Sequence, residues 1–294
     1  MKHIIGTGLS GLVGSRIVEL LGNDFEFEDI SRKTGTDISD KNAVLQRLQG
    51  SSAEFVVHMA AYTNVDEAEK DKDLGEESTA WKFNVLGTKN VVEAAETTGK
   101  HLVYISTDMV FPGTKPMPER YSEEDATGPV GWYATTKAEA EKVVEKATIP
   151  WTIVRIGYPY HMNVEKKGYV LIFKSYLEQG KPIQAISDHY FTPTFIDDLK
   201  DVFQIVFQEK LSGIYHAGGK DSMSPYEIAV KVADVFGLDK NLISKTTREE
   251  YFLGKAPRAF NLSLSSGKIE SLGVKLRGFE EGLLEIRKQL VHGS

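Results

Sequence analysis

The chain has 294 residues, of which 41% are hydrophobic and 26% are charged, and its formal net charge is −7. This composition is typical of globular proteins, and the acidic balance without a Lys/Arg block argues against nucleic acid or anionic membranes as partners. No apolar run reaches the roughly 18–20 residues that a membrane helix requires, and the absence of cysteine excludes disulfides and thiolate metal sites.

Apolar strand-like runs alternate with helical patterns over the first half of the chain. The predicted strands cover residues 3–6, 25–30, 54–59, 101–106 and 151–156. The predicted helices cover 12–22, 40–50, 79–99 and 133–146. Repeated strand–helix alternation indicates a parallel sheet with helices on both faces. We therefore predict an α/β fold, a doubly wound parallel sheet, over residues 1–157.

The pattern is less regular after residue 157. The predicted helices there cover 168–180, 195–208, 224–237 and 279–291, and the predicted strands cover 182–187 and 213–219. We assign residues 158–294 to a smaller C-terminal α/β substrate-binding region, and we expect a segment near 191–217 to return to the first domain.

The N-terminal stretch MKHIIGTG lacks the apolar core and the cleavage site of a signal peptide. The seven histidines show no spacing typical of metal ligands. We therefore expect a cytoplasmic protein without a metal site.

A glycine-rich turn, GTGLSGLVG, follows the first predicted strand and precedes the first predicted helix. Its glycines fit G-x-G-x-x-G from Gly6, and Gly8, Gly11 and Gly14 repeat at intervals of three. Such glycines permit a tight turn, close approach to a pyrophosphate and close helix packing, while free N–H groups at the helix start bind the anion. A flexible turn is the alternative, but the position between strand and helix favours a Rossmann-type dinucleotide site.

The residues after the second strand bear on which dinucleotide is bound. Glu28 and Asp29 end that strand, where an acid can bind the ribose hydroxyls of NAD. Arg32 and Lys33 follow, and such cations suit the 2′-phosphate of NADP. The alternative is a basic turn exposed to solvent that binds no ligand. We favour NADP(H), and NAD(H) stays as the second candidate.

Two tyrosines precede a lysine by four residues, Tyr133 before Lys137 and Tyr251 before Lys255. The second pair encloses a glycine and precedes a proline, which disfavours a continuous helix. The first pair lies in a predicted helix, where residues four apart share a face. An ammonium beside a phenol favours the phenolate and lowers its pKa, so that the hydroxyl can exchange protons.

Polar residues follow the fourth strand directly, at Ser106, Thr107 and Asp108. Ligands of an open parallel sheet bind beyond the carboxyl ends of its strands, which puts these residues at the same edge as the glycine turn. Thr107 can there hydrogen-bond a carbonyl oxygen that Tyr133 protonates. A strand-ending turn, which these residue types favour, is the alternative.

Six motifs follow one another along the chain. They are GTGLSGLVG, AAYTNVDEAE at 60–69, KFNVLGTKN around Asn84, STDMVFPG at 106–113, YATTK and FTPTFIDDL at 191–199. In this order they resemble the extended short-chain dehydrogenase/reductases, and among these the dTDP-4-dehydrorhamnose reductase subgroup most. The resemblance covers nearly the whole chain and is weaker in the last third.

The resemblance implies an NAD(P)H-dependent reductase of a keto sugar, nucleotide-linked as in that subgroup. Tyr133 would protonate the carbonyl oxygen as hydride reaches the carbon, with Thr107 in the catalytic set. Lys137 would also hold the nicotinamide ribose, and Asp108 would lie beside the substrate. A homodimer is left open.

The glycine turn, the cations after the second strand and the resemblance together define a predicted cofactor set. Its members are Gly8, Ser10, Gly11, Leu12, Val13, Gly14, Arg32, Asp37, Ile38, Ala60, Ala61, Tyr62, Asn84, Tyr133 and Lys137. Within this set the resemblance implies that Asp37 contacts the adenine and that the residues at 60–62 line the cofactor.

The substrate side departs from the subgroup. Met109 stands where an aromatic residue is usual, Tyr158 where a tryptophan is usual, and Ala256 where an arginine precedes proline. With Asp108, the first two form our predicted substrate set. A different sugar is therefore an open alternative, as are two other functions. One is an NAD-retaining epimerase or dehydratase, although dehydratases usually carry glutamate where Met109 stands. The other is a regulatory subunit like that of methionine adenosyltransferase.

Overall fold

The computed structural model describes residues 1–162 and 168–292, so residues 163–167 and 293–294 of the predicted C-terminal region lie outside it. Its strands are β1 (Lys2–Thr7), β2 (Phe25–Ile30), β3 (Phe55–His58), β4 (His101–Thr107), β5 (Trp151–Ile156), β6 (Pro159–Tyr160), β7 (Ile183–Ile186), β8 (Thr194–Phe195), β9 (Gly213–His216) and β10 (Ile243–Thr246). Its α-helices are α1 (Leu12–Leu21), α2 (Lys41–Gln49), α3 (Val65–Lys70), α4 (Thr79–Trp81), α5 (Gly87–Thr98), α6 (Trp132–Glu145), α7 (Tyr169–Glu178), α8 (Leu199–Glu209), α9 (Pro225–Phe236), α10 (Arg248–Tyr251), α11 (Gly267–Glu270) and α12 (Phe279–His292).

A six-stranded parallel sheet in the order β2-β1-β3-β4-β5-β9 forms the centre of the fold. Its inner strands are apolar and buried on both faces, as β3 shows with four buried residues in sequence. Helices α1 and α8 pack on one face, and α2, α5 and α6 pack on the other. The predicted Rossmann-type α/β fold is confirmed.

The rest of the chain adds two small parallel pairs, β6 with β8 and β7 with β10. A separate apolar cluster, which includes Val110, Phe111, Phe191 and Leu283, lies among α6, α7, α9 and α12. Strand β9 belongs to the central sheet although it comes late in the chain. No helix in the described residues is long and apolar enough to cross a bilayer.

One predicted helix, 79–99, is interrupted. The structure has α4, then a π-helical turn over Lys82–Leu86, then α5. The wider turn carries Asn84, whose side chain is buried and hydrogen-bonds both the N–H and the C=O of Tyr62. The break therefore coincides with side-chain hydrogen bonds to a segment 22 residues away. Short π-helical turns inside α-helices occur frequently at functional sites.

A buried ion pair joins β5 to α6. Arg155 donates from Nε to one carboxylate oxygen of Glu141 at 2.9 Å and from Nη2 to the other at 2.7 Å. Both side chains are 2% exposed, and the guanidinium lies 5.0 Å from the ring centre of Phe111. The bidentate geometry fixes α6 against the sheet, one helical turn beyond Lys137.

We expect Glu141→Gln to lower the free energy of unfolding by about 3–5 kcal/mol, because it leaves the guanidinium of Arg155 buried without a counter-charge. Glu139→Gln is the matched control: its pair with Lys142 is partly exposed and should contribute under about 1 kcal/mol. Denaturant unfolding measures both changes. Equal losses in the two variants would contradict a structural role for the buried pair.

Candidate functional site

The glycine turn brings β1, β3 and α1 into close contact. Gly8 has φ +70°, and a Cβ there would lie 2.6 Å from the backbone N of Ala60. A Cβ on Gly14 would lie 2.4 Å from the carbonyl oxygen of Gly8. Gly11 precedes α1 without a side-chain cap, and its N–H donates to Gly8 at 2.9 Å. The turn therefore leaves the N-terminus of α1 to bind an anion.

Two cavities meet over this turn and share Gly8, Ala60 and Ala61. The first, the β2-side cavity, lies near the end of β2, and its lining from the predicted cofactor set is Gly8, Arg32, Asp37, Ile38, Ala60, Ala61 and Tyr62. The second, the β4-side cavity, is lined from that set by Gly8, Gly11, Leu12, Val13, Gly14, Ala60, Ala61, Tyr133 and Lys137. Thr107 and Tyr158 also line the second cavity.

Two members of the predicted cofactor set line neither cavity. Ser10 is exposed in the turn. Asn84 is 1% exposed, and its amide is engaged by the backbone of Tyr62 and by the hydroxyl of Thr136, 2.9 Å away. Asn84 thus holds the segment after β3 against α6 from behind the cavities.

Residues outside the predicted set complete the cavities. Ser31, Thr36 and Phe83 line the β2-side cavity, and Met59, Thr63, Ile105, Ser106, Ile156 and Pro159 line the β4-side cavity. Ser31, Met59, Thr63 and Pro159 directly follow a strand end or a predicted residue, and Ser106 was already named as a polar residue at the end of the fourth strand. For the others the sequence offered only their position along the chain.

Tyr133 faces the β4-side cavity from α6 and is 8% exposed. Burial, with a contribution from the nearby charge of Asp108, raises the pKa of this phenol well above its ordinary value. The sequence predicted the opposite direction, through the ammonium of Lys137. The reason for the difference is that burial dominates, because desolvation disfavours the phenolate.

Lys137 lines the same cavity, and two residues of β4 hydrogen-bond its ammonium. Its Nζ donates to the hydroxyl of Tyr104 at 2.5 Å and to the carbonyl oxygen of Ile105 at 2.9 Å. Burial lowers its pKa to about 7, against the opposing effect of Glu141. The group therefore changes its charge near neutral pH.

Thr107 and Asp108 form a hydrogen-bonded pair at the end of β4. The Thr107 hydroxyl donates to Asp108 Oδ1 at 2.9 Å and accepts from the N–H of Met109 at 3.2 Å. Asp108 is 1% exposed, and burial raises its pKa to about 7. Its Oδ2 lacks a hydrogen-bond partner in the described part of the chain. A Cβ on Gly157 would lie only 2.6 Å from this oxygen, so a side chain there would clash with it. Asp108 and Met109 are both buried behind Thr107.

Tyr158 forms one wall of the β4-side cavity and has φ +41°, which is uncommon for a bulky residue. Its ring stacks on Phe191 with ring centres 3.5 Å apart. Its hydroxyl lies 2.7 Å from His189 Nε2, and His189 Nδ1 lies 2.7 Å from the carbonyl oxygen of Ala259. A carbonyl only accepts, so Nδ1 carries the proton and Nε2 accepts from Tyr158. The hydroxyl of Tyr158 is thereby committed to His189.

A buried polar network behind the cavities escaped the sequence analysis. Thr7 Oγ1 lies 2.6 Å from His58 Nδ1 and accepts from the N–H of Ala60 at 3.2 Å. His58 Nε2 lies 3.0 Å from Thr88 Oγ1, which donates to the carbonyl of Asn84 at 2.6 Å. Since the Thr88 proton is used, Nε2 must donate and Nδ1 accept. Polar residues ending two apolar strands were the available signal.

Comparison with known proteins gives one family match and three similar individual proteins. The chain matches the protein family described as RmlD substrate binding domain over residues 1–292. The dTDP-4-dehydrorhamnose reductase of Bacillus anthracis str. Ames, solved in complex with NADP, is similar with a TM-score of 0.89 at 28% identity, over 98% of this chain and 100% of that chain.

Two curated relatives differ in their described roles. Spore coat polysaccharide biosynthesis protein SpsK of Bacillus subtilis is 28% identical over 97% of this chain and 96% of its own length. Methionine adenosyltransferase 2 subunit beta of Pongo abelii is 27% identical over 94% of this chain and 84% of its own length.

We expect the stability advantage of wild type over His58→Gln to shrink as the pH falls from 6.5 towards 5. Burial lowers the pKa of His58 from 6.5 to about 3, so in this window the unfolded state binds a proton that the folded state excludes. Each pH unit then costs wild type up to about 1.4 kcal/mol. Denaturant unfolding at several pH values measures the difference, and a constant difference would contradict a buried neutral His58.

Proposed function

The chain belongs to the RmlD substrate binding domain family, and from this premise we propose that it is an NAD(P)H-dependent reductase of a keto sugar, nucleotide-linked as in its reductase relatives. Family membership confirms the predicted resemblance, and the predicted oxidoreductase activity agrees with the reductase relatives. The observation that carries the proposal is that Tyr133, Lys137 and Thr107 line the cavity that opens at the glycine turn.

The residues of the two cavities fit a dinucleotide. Gly8 and Gly14 have no room for a side chain, as expected where backbone approaches a pyrophosphate. A bound reduced dinucleotide supplies the hydride. Residues 1–157, with the segment near 191–217, would hold it, and the rest of the chain would bind the substrate.

The end of β2 favours NADP(H) over NAD(H). Asp29, the acid available for a ribose hydroxyl, accepts from the hydroxyl of Ser31 at 2.6 Å. Arg32 is 74% exposed, its Nε lies 3.6 Å from Asp37, and its guanidinium lies 5.2 Å from the ring centre of Phe83. An exposed guanidinium that lines the β2-side cavity suits a phosphate.

The protonation states suit the reducing direction. The raised pKa of Tyr133 keeps its phenol protonated until hydride reaches the substrate carbon. The oxygen then becomes an alkoxide, a stronger base than phenolate, and takes the proton from Tyr133. Protonated Lys137 offsets the phenolate charge that results. A protonated Asp108 can donate to Thr107, which frees the Thr107 hydroxyl for the substrate oxygen.

A second candidate, a regulatory subunit, is favoured by one observation. The methionine adenosyltransferase 2 subunit beta relatives match the chain about as well as the reductases do, at 27% identity for one of them. A stable complex with a methionine adenosyltransferase catalytic subunit and no turnover of any keto sugar would support it. An NAD-retaining epimerase or dehydratase would instead convert its substrate without net consumption of NADPH.

We expect purified protein to oxidise NADPH with a dTDP-4-keto-6-deoxyhexose, and Tyr133→Phe to lower kcat by about 10²–10⁴-fold, because the proton donor is lost. Tyr176→Phe is the control, since Tyr176 is 47% exposed on α7. Absorbance at the NADPH band follows the reaction. Undiminished kcat in Tyr133→Phe would refute the assigned role.

We expect Arg32→Ala to raise the Kd for NADPH about tenfold or more and to change the Kd for NADH little, because a charge-assisted bond to the 2′-phosphate is lost. Lys33→Ala is the matched control, since Lys33 is exposed and does not line the β2-side cavity. Fluorescence titration measures each Kd. Parallel losses for both dinucleotides would contradict recognition of the 2′-phosphate by Arg32.

A further inference from the structure

We propose that Tyr104 is the positioning residue for Lys137, and that the phenol of Tyr104 fixes the ammonium of Lys137 at the β4-side cavity. The inference rests on the proposed function. It divides the roles between two tyrosines: Tyr133 faces the reacting carbonyl, and Tyr104 holds the lysine that acts with it.

The contacts of Lys137 carry the proposal. Its Nζ is 2.5 Å from the Tyr104 hydroxyl and 2.9 Å from the Ile105 carbonyl oxygen, and it lies 4.1 Å from the ring centre of Tyr104. An ammonium has three donors. The two named bonds use two of them, which leaves one donor for the cavity that Lys137 lines with Tyr133.

The sheet register makes Tyr104 a rigid support. His58 pairs with Tyr104 between β3 and β4, and Thr7 pairs with His58 between β1 and β3. The three side chains therefore form one row across the sheet. Tyr104 is 1% exposed, and its ring centre lies 5.5 Å from that of His58. His58 hydrogen-bonds Thr7 through Nδ1 and packs beside the ring of Tyr104. The row therefore connects the residue that binds the ammonium to β1, the strand that enters the glycine turn.

The phenol of Tyr104 can play this role over the whole working pH range. Burial raises its pKa well above the ordinary value, so it stays neutral and accepts from the ammonium. The other titratable groups around Lys137 are His58 on β3 and Tyr133 and Glu141 on α6. Burial keeps His58 uncharged, and Glu141 favours the charged ammonium.

The test is the pH dependence of NADPH binding to the intact protein. For wild type we expect the Kd, measured by NADPH fluorescence, to rise as the pH passes through about 7 and Lys137 loses its charge. In Tyr104→Phe the ammonium loses an acceptor, so its pKa falls and the rise in Kd moves to lower pH. At pH 7 the variant should bind about tenfold more weakly, and at pH 5.5 the two proteins should converge.

Tyr121→Phe is the matched control. Tyr121 is 2% exposed, its hydroxyl accepts from the N–H groups of Thr114 and Lys115, and it lines neither cavity. It should lower the free energy of unfolding without moving the pH profile. Lys137→Met should abolish the pH dependence, which identifies the titrating group. Tyr104→Phe keeps the buried ring and removes only the hydroxyl, so the variant is expected to fold, and thermal unfolding checks that it does.

The outcomes separate the two proposals. A wild-type pH profile retained in Tyr104→Phe, with a loss of stability like that of Tyr121→Phe, would overturn the positioning role and leave the proposed function standing. Failure of wild type to bind either NADPH or NADH would overturn the proposed function and this inference with it.

Discussion

The structure depends on a buried ammonium at the edge of a parallel sheet. Lys137 is 3% exposed, and an ammonium removed from water is costly unless its donors are satisfied. The chain satisfies two of its three donors with a phenol and a backbone carbonyl from β4, and Glu141 stabilises the charge from one turn further along α6. Glu141 also forms an ion pair with Arg155 of β5. Charge interactions among Lys137, Glu141 and Arg155 therefore connect α6 to β5.

The two cavities over the glycine turn depend on a second constraint, the close approach of backbone segments at Gly8 and Gly14. Gly8 and Gly14 let β1, α1 and the end of β3 meet at distances that exclude any Cβ. The His58 network holds the ends of β1 and β3 from behind. The parallel backbone pairing of β1 with β3 sets the separation and register of these strand ends, and the hydrogen bond between Thr7 and His58 adds a buried side-chain contact between them.

Much of this arrangement could be predicted from sequence, because it depends on local pattern. Alternating apolar runs gave the parallel sheet, and the spacing of Tyr133 and Lys137 gave a shared helix face. What escaped prediction depends on contacts between distant segments. The partner of Lys137 is Tyr104, 33 residues earlier, and only the sheet register brings it there. The π-turn at Asn84 likewise depends on bonds to Tyr62 across 22 residues. The predicted lowering of the Tyr133 pKa was wrong for the same reason. Burial, which raises this pKa, cannot be predicted from the spacing of Tyr133 and Lys137.

Tyr158 contributes to the β4-side cavity by its shape rather than by a free hydroxyl. Tyr158 cannot easily donate to a sugar, because its hydroxyl is committed to His189, whose other nitrogen is bound to Ala259. Its ring, stacked on Phe191, is then a fixed wall that acts by shape. In the proposed function, a substrate would be selected by fit against that wall, and Tyr133 on another element would supply the proton. In the proposed function, this separation would let residues around Tyr158 vary without disturbing the buried ammonium, in line with the predicted departures from the subgroup pattern at Met109, Tyr158 and Ala256.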